Sequence, residues 1–506
     1  MYVLGNEELL CQGNRFARAL DASGTTTRAA VAVLCSNRPE MLAVYRGTTY
    51  SGRRFTPMST RWSADDVAYV IDNCEAEVLV ADARYADVVG DAARLVAPER
   101  RFAIGGHIDG FRPWSDVLAE SGEAYPHLLA GTNMTYTSGT TGRPKGVFRP
   151  SPEGQPPGPM GRGGSQMMML CLRAGATRQA QTAGCEPQVE SRLDGSHLIT
   201  TPLYHAAPMG YADGAALLGS DLVIMDRFDP EESLRLIEAH RVSSTFMVPT
   251  QLVRLLRLPD EVRERYDLSS LRILIHGAAP IAPDVKRTMI DWFGPILYEF
   301  YGGSEGGGVF IDSHDWLAHP GSVGRPMPGL SLEIRDDDHQ LVPAGTPGQI
   351  WMRGAKRFEY KGDPEKTAEA WNGETFTLGD IGYLDDDGFL YLCDRRADLI
   401  ITGGVNVYPA RVEAVLLGHH AVADCCVVGV PDDEWGEVVR AVVQPVDGQH
   451  PSDELATELL AHCQSLNAVQ RPRQIDFDAN LPRTETGKLG RRAIRDRYWA
   501  GRQRKI

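Results

Sequence analysis

Several common signatures are missing from this chain of 506 residues. Its nine cysteines show no C-x-x-C spacing, which argues against a zinc site or a disulfide framework and favours free thiols. No apolar run approaches the roughly 20 residues that a membrane span requires, and no basic segment followed by an apolar one opens the sequence. We therefore expect a cytoplasmic protein without a transmembrane segment.

The chain also has fewer positive than negative charges, with a formal net charge of -15. This balance argues against nucleic acid as a partner, because a phosphate backbone requires a basic face. Small anionic ligands remain possible, because they need only local cations. The length exceeds that of a single hydrophobic core and predicts at least two domains. No pattern predicts an oligomeric state.

What the chain does contain is a loop rich in glycine and hydroxyl groups at Tyr136–Val147. Glycines let backbone amides approach an anion, hydroxyls donate to it, and Lys145 adds a charge. The spacing is not that of a Walker A loop, because Arg143 and Pro144 precede the lysine. A surface linker is the alternative, but it leaves the Pro-Lys-Gly ending unexplained. The predicted phosphate-binding residues are Thr137, Ser138, Gly139, Thr140, Thr141, Gly142 and Lys145.

A second glycine-containing segment, Tyr301–Glu305, follows the strand-like run Ile296–Phe300. The aromatic face of Tyr301 suits stacking on adenine. The carboxylate of Glu305 offers the hard oxygen that Mg²⁺ prefers, so Glu305 is the predicted metal ligand. For this motif taken alone, a glycine-rich turn with a surface glutamate is an equal alternative.

Strands and helices alternate over the first two thirds of the chain. The apolar runs Ala29–Cys35 and Leu271–His276 predict buried strands, and Ser63 and Pro283 predict helix starts. Such alternation predicts largely parallel sheets covered by helices, with ligands at the carboxyl ends of the strands. We expect both the phosphate loop and the Gly277–Pro280 turn to follow strands in this way.

The composition shifts near residue 394, and the segment that follows is compact. Pro409 predicts a helix that ends at Gly418, and a second apolar helical face contains Leu455 and Leu459. The predicted fold class is α/β. A large N-terminal domain (residues 1–394) has stacked, mostly parallel sheets covered by helices, and a small α+β C-terminal domain (residues 395–506) follows it.

Five motifs in order resemble those of the adenylate-forming (AMP-binding) enzyme superfamily, in its acyl-CoA synthetase or acid–CoA ligase branch. The matching segments run from about residue 30 to residue 488, and five motifs in the family's order are not a chance agreement. The motifs are Tyr136–Val147, Tyr301–Glu305, Leu378–Asp380, Arg395–Pro409 and Leu481–Lys488.

The resemblance implies how the nucleotide is held. Asp380 is expected to accept hydrogen bonds from both ribose hydroxyls, although Leu378 stands where the family usually has Thr. Arg395 aligns with an arginine that contacts ribose and phosphate. Taken alone, either residue would more often be a solvated surface group. The other implied ATP- or AMP-binding residues are Gly277, Ala278, Ala279, Tyr301, Gly302 and Ser304.

The resemblance also implies catalytic and acyl-site residues. Lys488 is expected to bridge the carboxylate and α-phosphate oxygens, with a basic tail as the alternative; Glu305 and His205 complete the catalytic set. A structural histidine is an equal alternative for His205. Ala397 stands at the hinge, where the family often has Asp or Lys. The residues assigned to the CoA or acyl site are Tyr204, Gly303, Gly403 and Gly404.

The activity implied is ligation of a carboxylic acid to coenzyme A, with ATP and Mg²⁺ as cofactors. The family's usual insertion of fatty acyl-AMP ligases is missing after Gly354, and this favours CoA as acceptor. With no carrier domain after Lys488, a separate carrier protein is the alternative acceptor. A non-catalytic adenylate-binding protein is a third possibility. The glycines at 302–308 predict a roomy acyl pocket, but the acid itself and the pathway stay open.

Overall fold

The computed structural model describes residues 1–137, 143–150, 163–183, 193–395, 398–403, 405–432, 434–483 and 489–500, without the side chains of 163–165, 179, 182–183 and 395. Contact density divides the chain into two compact units. The first unit contains Met1–Pro320 and Ala355–Glu369, and the second contains Gly321–Gly354 and the chain from Ala370 onward. A domain boundary between residues 394 and 395 is predicted from the sequence, on the expectation that the segment after it rotates. This boundary stays a prediction.

The strands are numbered in chain order. They are β1 (Tyr2–Leu4), β2 (Ala30–Leu34), β3 (Arg54–Met58), β4 (Ala76–Asp82), β5 (Arg101–Ile104), β6 (Arg112–Pro113), β7 (Thr132–Asn133), β8 (Thr135–Thr137), β9 (Lys145–Phe148), β10 (Ser196–Ile199), β11 (Asp221–Ile224), β12 (Val242–Met247), β13 (Ile273–Gly277), β14 (Leu297–Gly303), β15 (Gly306–Asp312), β16 (Arg325–Pro326), β17 (Ser331–Arg335), β18 (Gly348–Arg353), β19 (Glu359–Tyr360), β20 (Trp371–Asn372), β21 (Thr375–Phe376), β22 (Asp380–Leu384), β23 (Leu390–Arg395), β24 (Ile400–Thr402), β25 (Val405–Val407), β26 (Val422–Asp432), β27 (Gly436–Pro445) and β28 (Gln474–Phe477).

The α-helices are numbered in the same way. They are α1 (Asn6–Ala22), α2 (Pro39–Tyr50), α3 (Ala64–Asn73), α4 (Ala86–Val89), α5 (Trp114–Leu118), α6 (Gly163–Ala183), α7 (Ala206–Leu217), α8 (Pro230–Ala239), α9 (Pro249–Leu256), α10 (Asp260–Arg263), α11 (Pro283–Phe293), α12 (Ser313–Ala318), α13 (Pro364–Ala370), α14 (Pro409–Leu417), α15 (Asp453–His462) and α16 (Arg491–Trp499). No helix in the described part of the chain is long and apolar enough to cross a membrane.

The first sheet of the first unit has the order β6-β5-β4-β2-β3-β7, and all of its pairs are parallel. Every residue of β2 is buried, as expected for a central strand covered on both faces. The helix α3 begins where predicted, because the Ser63 side chain accepts a hydrogen bond from the Asp66 amide. The predicted strand at Ala29–Cys35 is confirmed with slightly shorter bounds.

The second sheet of the first unit contains β1-β11-β10-β12-β13-β14-β15 in that order. The pairs from β11 to β14 are parallel, while β1 and β15 pair antiparallel with their neighbours. Pro283 occupies the first turn of α11 and Gly294 ends this helix with a φ of 80°, as predicted. Parallel sheets flanked by helices confirm the α/β fold class.

A third, smaller sheet joins distant segments of the first unit. The strands β8 and β9 form an antiparallel pair, and β19 adds to the other edge of β9. Because β19 belongs to residues 355–369, a late segment of the chain returns to complete this sheet.

The second unit is built from two further sheets. One contains β17, β18 and β20–β23, and the other contains β24–β28 with the helices α14, α15 and α16 around it. Pro409 opens α14, which ends at Leu417 directly before Gly418, as predicted. Leu455 and Leu459 of α15 are buried in the core of this part. The predicted α+β character of the C-terminal segment is therefore confirmed.

Candidate active site

The carboxyl ends of four parallel strands in the second sheet lie side by side. The register aligns Ile199 with Phe246, Phe246 with Ile275, and Ile275 with Tyr298. The segments that follow β10, β13 and β14 therefore leave the sheet at one edge. The last residues of these strands and the segments after them contain the predicted acyl-site and nucleotide-site residues Tyr204, His205, Gly277, Ala278, Ala279, Tyr301, Gly302, Gly303, Ser304 and Glu305.

Tyr204 and His205 lie between β10 and α7. Tyr204 is buried, whereas His205 is half-buried and takes the N-cap position of α7 without a capping hydrogen bond from its side chain. Their ring centroids are 4.5 Å apart, with the ring planes inclined at 60°. The two rings thus form one aromatic surface beside the carboxyl end of β10.

The Gly277 turn requires a residue without a side chain. A Cβ atom at Gly277 would lie 2.4 Å from the carbonyl oxygen of Phe300 in the neighbouring strand, and a backbone atom cannot yield. The next residue, Ala278, has a φ of 68° and is exposed. Left-handed backbone is unfavourable for alanine, so the surrounding structure must hold this turn in place. The position of the turn after a parallel strand is as predicted.

The segment Tyr301–Glu305 ends β14 and turns into β15. The register shifts between Tyr301 and Gly303, and Gly306 has a φ of 125° that only glycine adopts readily. Arg149 stabilises the turn. Its guanidinium donates a 3.0 Å hydrogen bond to the carbonyl of Ser304 and another to that of Glu305. Burial lowers the pKa of Arg149 from its usual value, with Glu305 opposing that shift.

The Glu305 carboxylate is half-buried and has a specific partner. Its Oε1 accepts a 3.0 Å hydrogen bond from the hydroxyl of Tyr360, the second residue of β19. Since β19 pairs with β9, the hydrogen bond links Glu305 to the strand that begins with Lys145. The predicted metal ligand Glu305 is therefore hydrogen-bonded to the same small sheet that contains the predicted phosphate-binding Lys145.

The strands that flank the phosphate loop pair antiparallel, with Thr137 opposite Lys145 and Tyr136 opposite Gly146. The prediction that this loop follows a strand of a parallel sheet is therefore wrong. Gly146 suits the close return of the chain, because a Cβ atom there would lie 2.4 Å from Cε of Met134 and 2.9 Å from Cζ of Tyr136. Alternation along the chain cannot reveal such local antiparallel pairing.

Lys145 is surrounded by charged groups of both signs. Its Nζ is 6.0 Å from the centroid of the Tyr360 ring. Burial and, after it, the nearby Lys366 lower the pKa of Lys145 to about 8, against the opposing effects of Asp363 and Glu369. The ammonium group of Lys145 thus has both a second cation and two carboxylates near it.

The predicted ribose acceptor Asp380 opens β22 in the second unit and is 9 % exposed. Gly379 before it has a φ of 79° and donates its N–H to the Thr377 hydroxyl at 3.0 Å. In the strand register Asp380 is directly opposite Arg395. The pairing of β22 with β23 therefore brings the backbones of both predicted ribose-site residues together.

Gly403 lies against Trp435 in the second unit. A Cβ atom at Gly403 would be 2.6 Å from Cε3 of Trp435, and the φ of 56° is left-handed. The Gly403 amide also donates a 2.9 Å hydrogen bond to the carbonyl of Trp435. The local structure therefore requires glycine at this position, whether or not a ligand binds there.

Several predicted site residues lie outside the described part of the chain. Their assignments stay predictions, as does that of Arg395, whose side chain is not described. They are Ser138, Gly139, Thr140, Thr141, Gly142, Ala397, Gly404 and Lys488.

Three residues beside the predicted site carried no sequence signal of their own. Arg149 follows the phosphate loop directly, and Tyr360 and Lys366 flank a Gly-Asp-Pro turn. Tyr360 and Lys366 approach Lys145 because β9 and β19 pair across the chain, whereas Arg149 contacts the Ser304–Glu305 turn through its own hydrogen bonds. The one feature in the sequence that could have indicated them is the segment after Phe358, which contains a tyrosine and two lysines close together.

Comparison with known proteins gives the family. Residues 6–359 match the AMP-binding enzyme family, and residues 411–488 match the AMP-binding enzyme C-terminal domain. A medium/long-chain-fatty-acid–CoA ligase of Mycobacterium tuberculosis is 32 % identical over 97 % of this chain and 85 % of its own. A fatty acid–[acyl-carrier-protein] ligase of Streptomyces coeruleorubidus is 29 % identical over 99 % of this chain and 92 % of its own.

The fold is shared with a solved structure of another ligating enzyme. The amide bond synthetase McbA from Marinactinospora thermotolerans superimposes with a TM-score of 0.79 at 28 % identity, covering 97 % of this chain and 94 % of that one. The chain therefore belongs, as its motifs predicted, to the adenylate-forming or AMP-binding enzyme superfamily, in its acyl-CoA synthetase branch.

Proposed function

We propose that this protein is an ATP-dependent acid–CoA ligase. It converts a carboxylic acid and ATP into an acyl-adenylate and pyrophosphate, and then transfers the acyl group to coenzyme A with release of AMP. The observation that carries the proposal is the convergence of Lys145 and Glu305 on Tyr360 in the first unit. This arrangement suits a magnesium-bound triphosphate.

The chemistry explains why such a site is needed. A carboxylate is a poor electrophile because oxide is a poor leaving group, and adenylation replaces oxide with AMP. The attacking carboxylate and the triphosphate are both anions, so the enzyme must neutralise charge and align the two reactants. Cations near the phosphates and a bound Mg²⁺ supply that neutralisation.

The residues present fit a magnesium ion and a triphosphate. Glu305 offers a hard carboxylate oxygen, and the hydrogen bond from Tyr360 fixes the orientation of that carboxylate. Thr137 and Lys145 stand opposite each other where the phosphate loop leaves and rejoins the sheet. When bound, Mg²⁺ would neutralise phosphate charge, while Lys145 binds phosphate oxygens.

The resemblance to the family assigns the remaining roles. Asp380 accepts from the ribose hydroxyls, Arg395 contacts ribose and phosphate, and Lys488 bridges the carboxylate and the α-phosphate during adenylation. The segment 395–506 rotates between the two half-reactions, with the hinge at Ala397, because one active site must serve both steps. Gly403 and Gly404 leave room for the pantetheine arm.

The acceptor has a second candidate. A relative named as a fatty acid–[acyl-carrier-protein] ligase aligns with nearly the whole chain, which supports loading of a carrier protein as the alternative. The missing insertion after Gly354 and the relative named as a CoA ligase support free CoA. A non-catalytic adenylate-binding protein is a poor fit, because the chain has Glu305, Asp380 and Lys488 at the motif positions.

The acid is proposed only by class. The glycines of β15, Gly306–Gly308, and the aromatic pair Tyr204–His205 support a bulky or ring-bearing carboxylic acid. A product survey that found tight preference for acetate or propionate would contradict this assignment.

The test is mass spectrometry of reactions that contain ATP, Mg²⁺, CoA and a panel of aliphatic, aryl and sterol-type acids. We expect an acyl-CoA product together with AMP rather than ADP, and about 10²- to 10³-fold slower product formation by Lys488→Ala. Acyl-adenylate without a CoA thioester would favour the carrier-protein alternative. ADP as the product, or no adenylate with any acid, would contradict the proposed reaction.

A further inference from the structure

The segment Tyr360–Thr367 is held in one conformation by three short contacts. The Tyr360 amide donates a 2.9 Å hydrogen bond to Oγ1 of Thr367, and the Thr367 hydroxyl donates at 2.8 Å to the carbonyl of Asp363. The Lys366 amide donates at 3.0 Å to Oδ1 of Asp363. Lys366 therefore has a fixed backbone next to the residue that anchors Tyr360.

That backbone places Lys366 beside Lys145. The ring of Tyr360 lies 6.0 Å from Nζ of Lys145, and the Lys361 amide donates a 2.9 Å hydrogen bond to the carbonyl of Gly146, so the segment starts directly beside Lys145. From there the Lys366 ammonium group acts on that of Lys145. Lys366 is half-buried, so its charge is only partly screened by water. Two lysine side chains from distant parts of the chain thus meet at the base of the phosphate loop.

Such a pair of like charges is unfavourable, and the carboxylates of Asp363 and Glu369 oppose the repulsion. Two like charges a few ångströms apart repel each other more strongly inside a protein than they do in water. The repulsion contributes to the lowered pKa of Lys145, after burial, despite the opposing carboxylates of Asp363 and Glu369. A ligand with several linked negative charges would satisfy both ammonium groups at once.

We infer that Lys366 is a second phosphate-binding cation, which with Lys145 holds the two terminal phosphates of ATP. The inference rests on the proposed function for the identity of the nucleotide reaction. In that reaction a carboxylate oxygen bonds to the α-phosphorus while the bond from the α-phosphorus to the α–β bridging oxygen breaks. The electron pair stays on that oxygen and leaves with pyrophosphate, whose growing charge Lys366 stabilises.

Lys361 provides a matched comparison in the same segment. Its Nζ pairs with Glu75 at 3.1 Å, so its charge already has a carboxylate partner. The variants Lys366→Gln and Lys361→Gln each remove one positive charge, but only the first removes a cation next to Lys145. General salt effects on phosphate affinity would appear in both.

The experiment measures binding of pyrophosphate, MgATP and AMP to the full chain by calorimetry, without an acid substrate. We expect Lys366→Gln to weaken pyrophosphate and MgATP binding by about 10- to 100-fold, the range for one hydrogen bond to a charged group. AMP lacks the two terminal phosphates, so its affinity should stay unchanged. Lys361→Gln should bind all three ligands as the wild type does, and Lys366→Arg should restore binding.

The pH dependence adds a second readout that a structural role would not move. Pyrophosphate binding by the wild type should weaken as the pH rises through about 8, where Lys145 loses its proton. Without Lys366 one source of repulsion disappears, so this break should move to higher pH in Lys366→Gln. In Lys361→Gln the break should stay where it is in the wild type.

Three results would overturn the inference. Unchanged pyrophosphate affinity in Lys366→Gln would remove the proposed contact, and an equal loss for AMP would reveal a structural effect. In both cases an acyl-adenylate made by the wild type would leave the proposed function standing. A wild type that binds neither MgATP nor pyrophosphate would overturn the inference and the proposed function together.

Discussion

The hydroxyl of Tyr360 donates a 3.0 Å hydrogen bond to Oε1 of Glu305, although 55 residues separate them in the chain. The contact is possible because Tyr360 pairs with Val147 in the antiparallel register of β19 and β9. The orientation of the Glu305 carboxylate is thereby coupled to the hairpin that carries Lys145. A carboxylate with a fixed orientation is a better metal ligand than one free to rotate.

Replacing Tyr360 with Phe removes this hydrogen bond and keeps the ring beside Lys145. We expect the Mg²⁺ affinity of the ATP complex to fall by about 10- to 100-fold, as for other partners of metal ligands. The measurement is ATP binding as a function of Mg²⁺ concentration. The control is Tyr266→Phe, which removes a similar 3.0 Å hydrogen bond to Glu231 elsewhere in the first unit. Equal Mg²⁺ dependence in both variants would contradict the proposed role of Glu305.

Replacing Asp380 with Asn tests the proposed ribose contact. The wild type should bind ATP at least about 10-fold more tightly than 2′-deoxyATP, because a hydrogen bond to a charged group is lost with the hydroxyl. The variant should bind ATP more weakly and discriminate little between the two nucleotides. Binding constants for both ligands and both proteins form a complete cycle. Discrimination that survived in the variant would assign the ribose to another acceptor.

Replacing Lys488 with Ala should separate binding from chemistry. One preorganised cation at the reacting oxygens contributes about 10²- to 10³-fold to rate. We expect acyl-adenylate formation to slow by that factor, while the affinity for MgATP changes little. Rapid-quench measurement of the acyl-adenylate reports the first half-reaction alone. A variant that adenylates at the wild-type rate would exclude Lys488 from that step.

His197 should make the first unit sensitive to acid. Burial lowers its pKa from about 6.5 to about 3, while its Nδ1 lies 2.9 Å from the Ser244 hydroxyl. The folded pKa is depressed, so the stability that the neutral ring preserves is complete above pH 6.5 and is lost as the pH falls toward 3. Between pH 6.5 and pH 4 this loss amounts to about 3 kcal/mol.

The variant His197→Asn should lose less unfolding free energy over that range than the wild type. Urea unfolding followed by intrinsic fluorescence at several pH values gives the comparison. His450→Asn, at an exposed position, should keep the wild-type pH dependence. Parallel curves for the wild type and His197→Asn would mean that another group dominates the acid sensitivity.

The sequence predicted the fold class and several of its helices and strands. Local signals marked the starts of α3 and α11 and the end of α11, because caps and prolines act within one helical turn. Strand bounds differed by one or two residues, as at Ile273–Gly277, since an apolar run does not show where pairing stops. The parallel register then placed the Gly277 turn and Tyr301–Glu305 at one edge, as expected for such sheets.

Other parts of the site depended on contacts that no local pattern encodes. Tyr360 and Lys366 lie beside Lys145 only through the pairing of β9 with β19, and two-residue strands have no readable periodicity. The same limit explains the misassigned setting of the phosphate loop. Motifs identified the residue types of the chemistry, while the partners that orient them came from tertiary pairing.

The return of β19 to the first unit also determines when that unit can be finished during synthesis. A ribosome makes residues 321–354, which belong to the second unit, before it makes Glu359 and Tyr360. The hairpin β8–β9 therefore emerges long before its third strand, β19. Until then the edge of β9 has no strand to pair with. A nascent chain stalled at Pro320 would contain Lys145 and Glu305 but not the Tyr360 hydroxyl that donates to the carboxylate. The proposed nucleotide site is therefore completed late in synthesis.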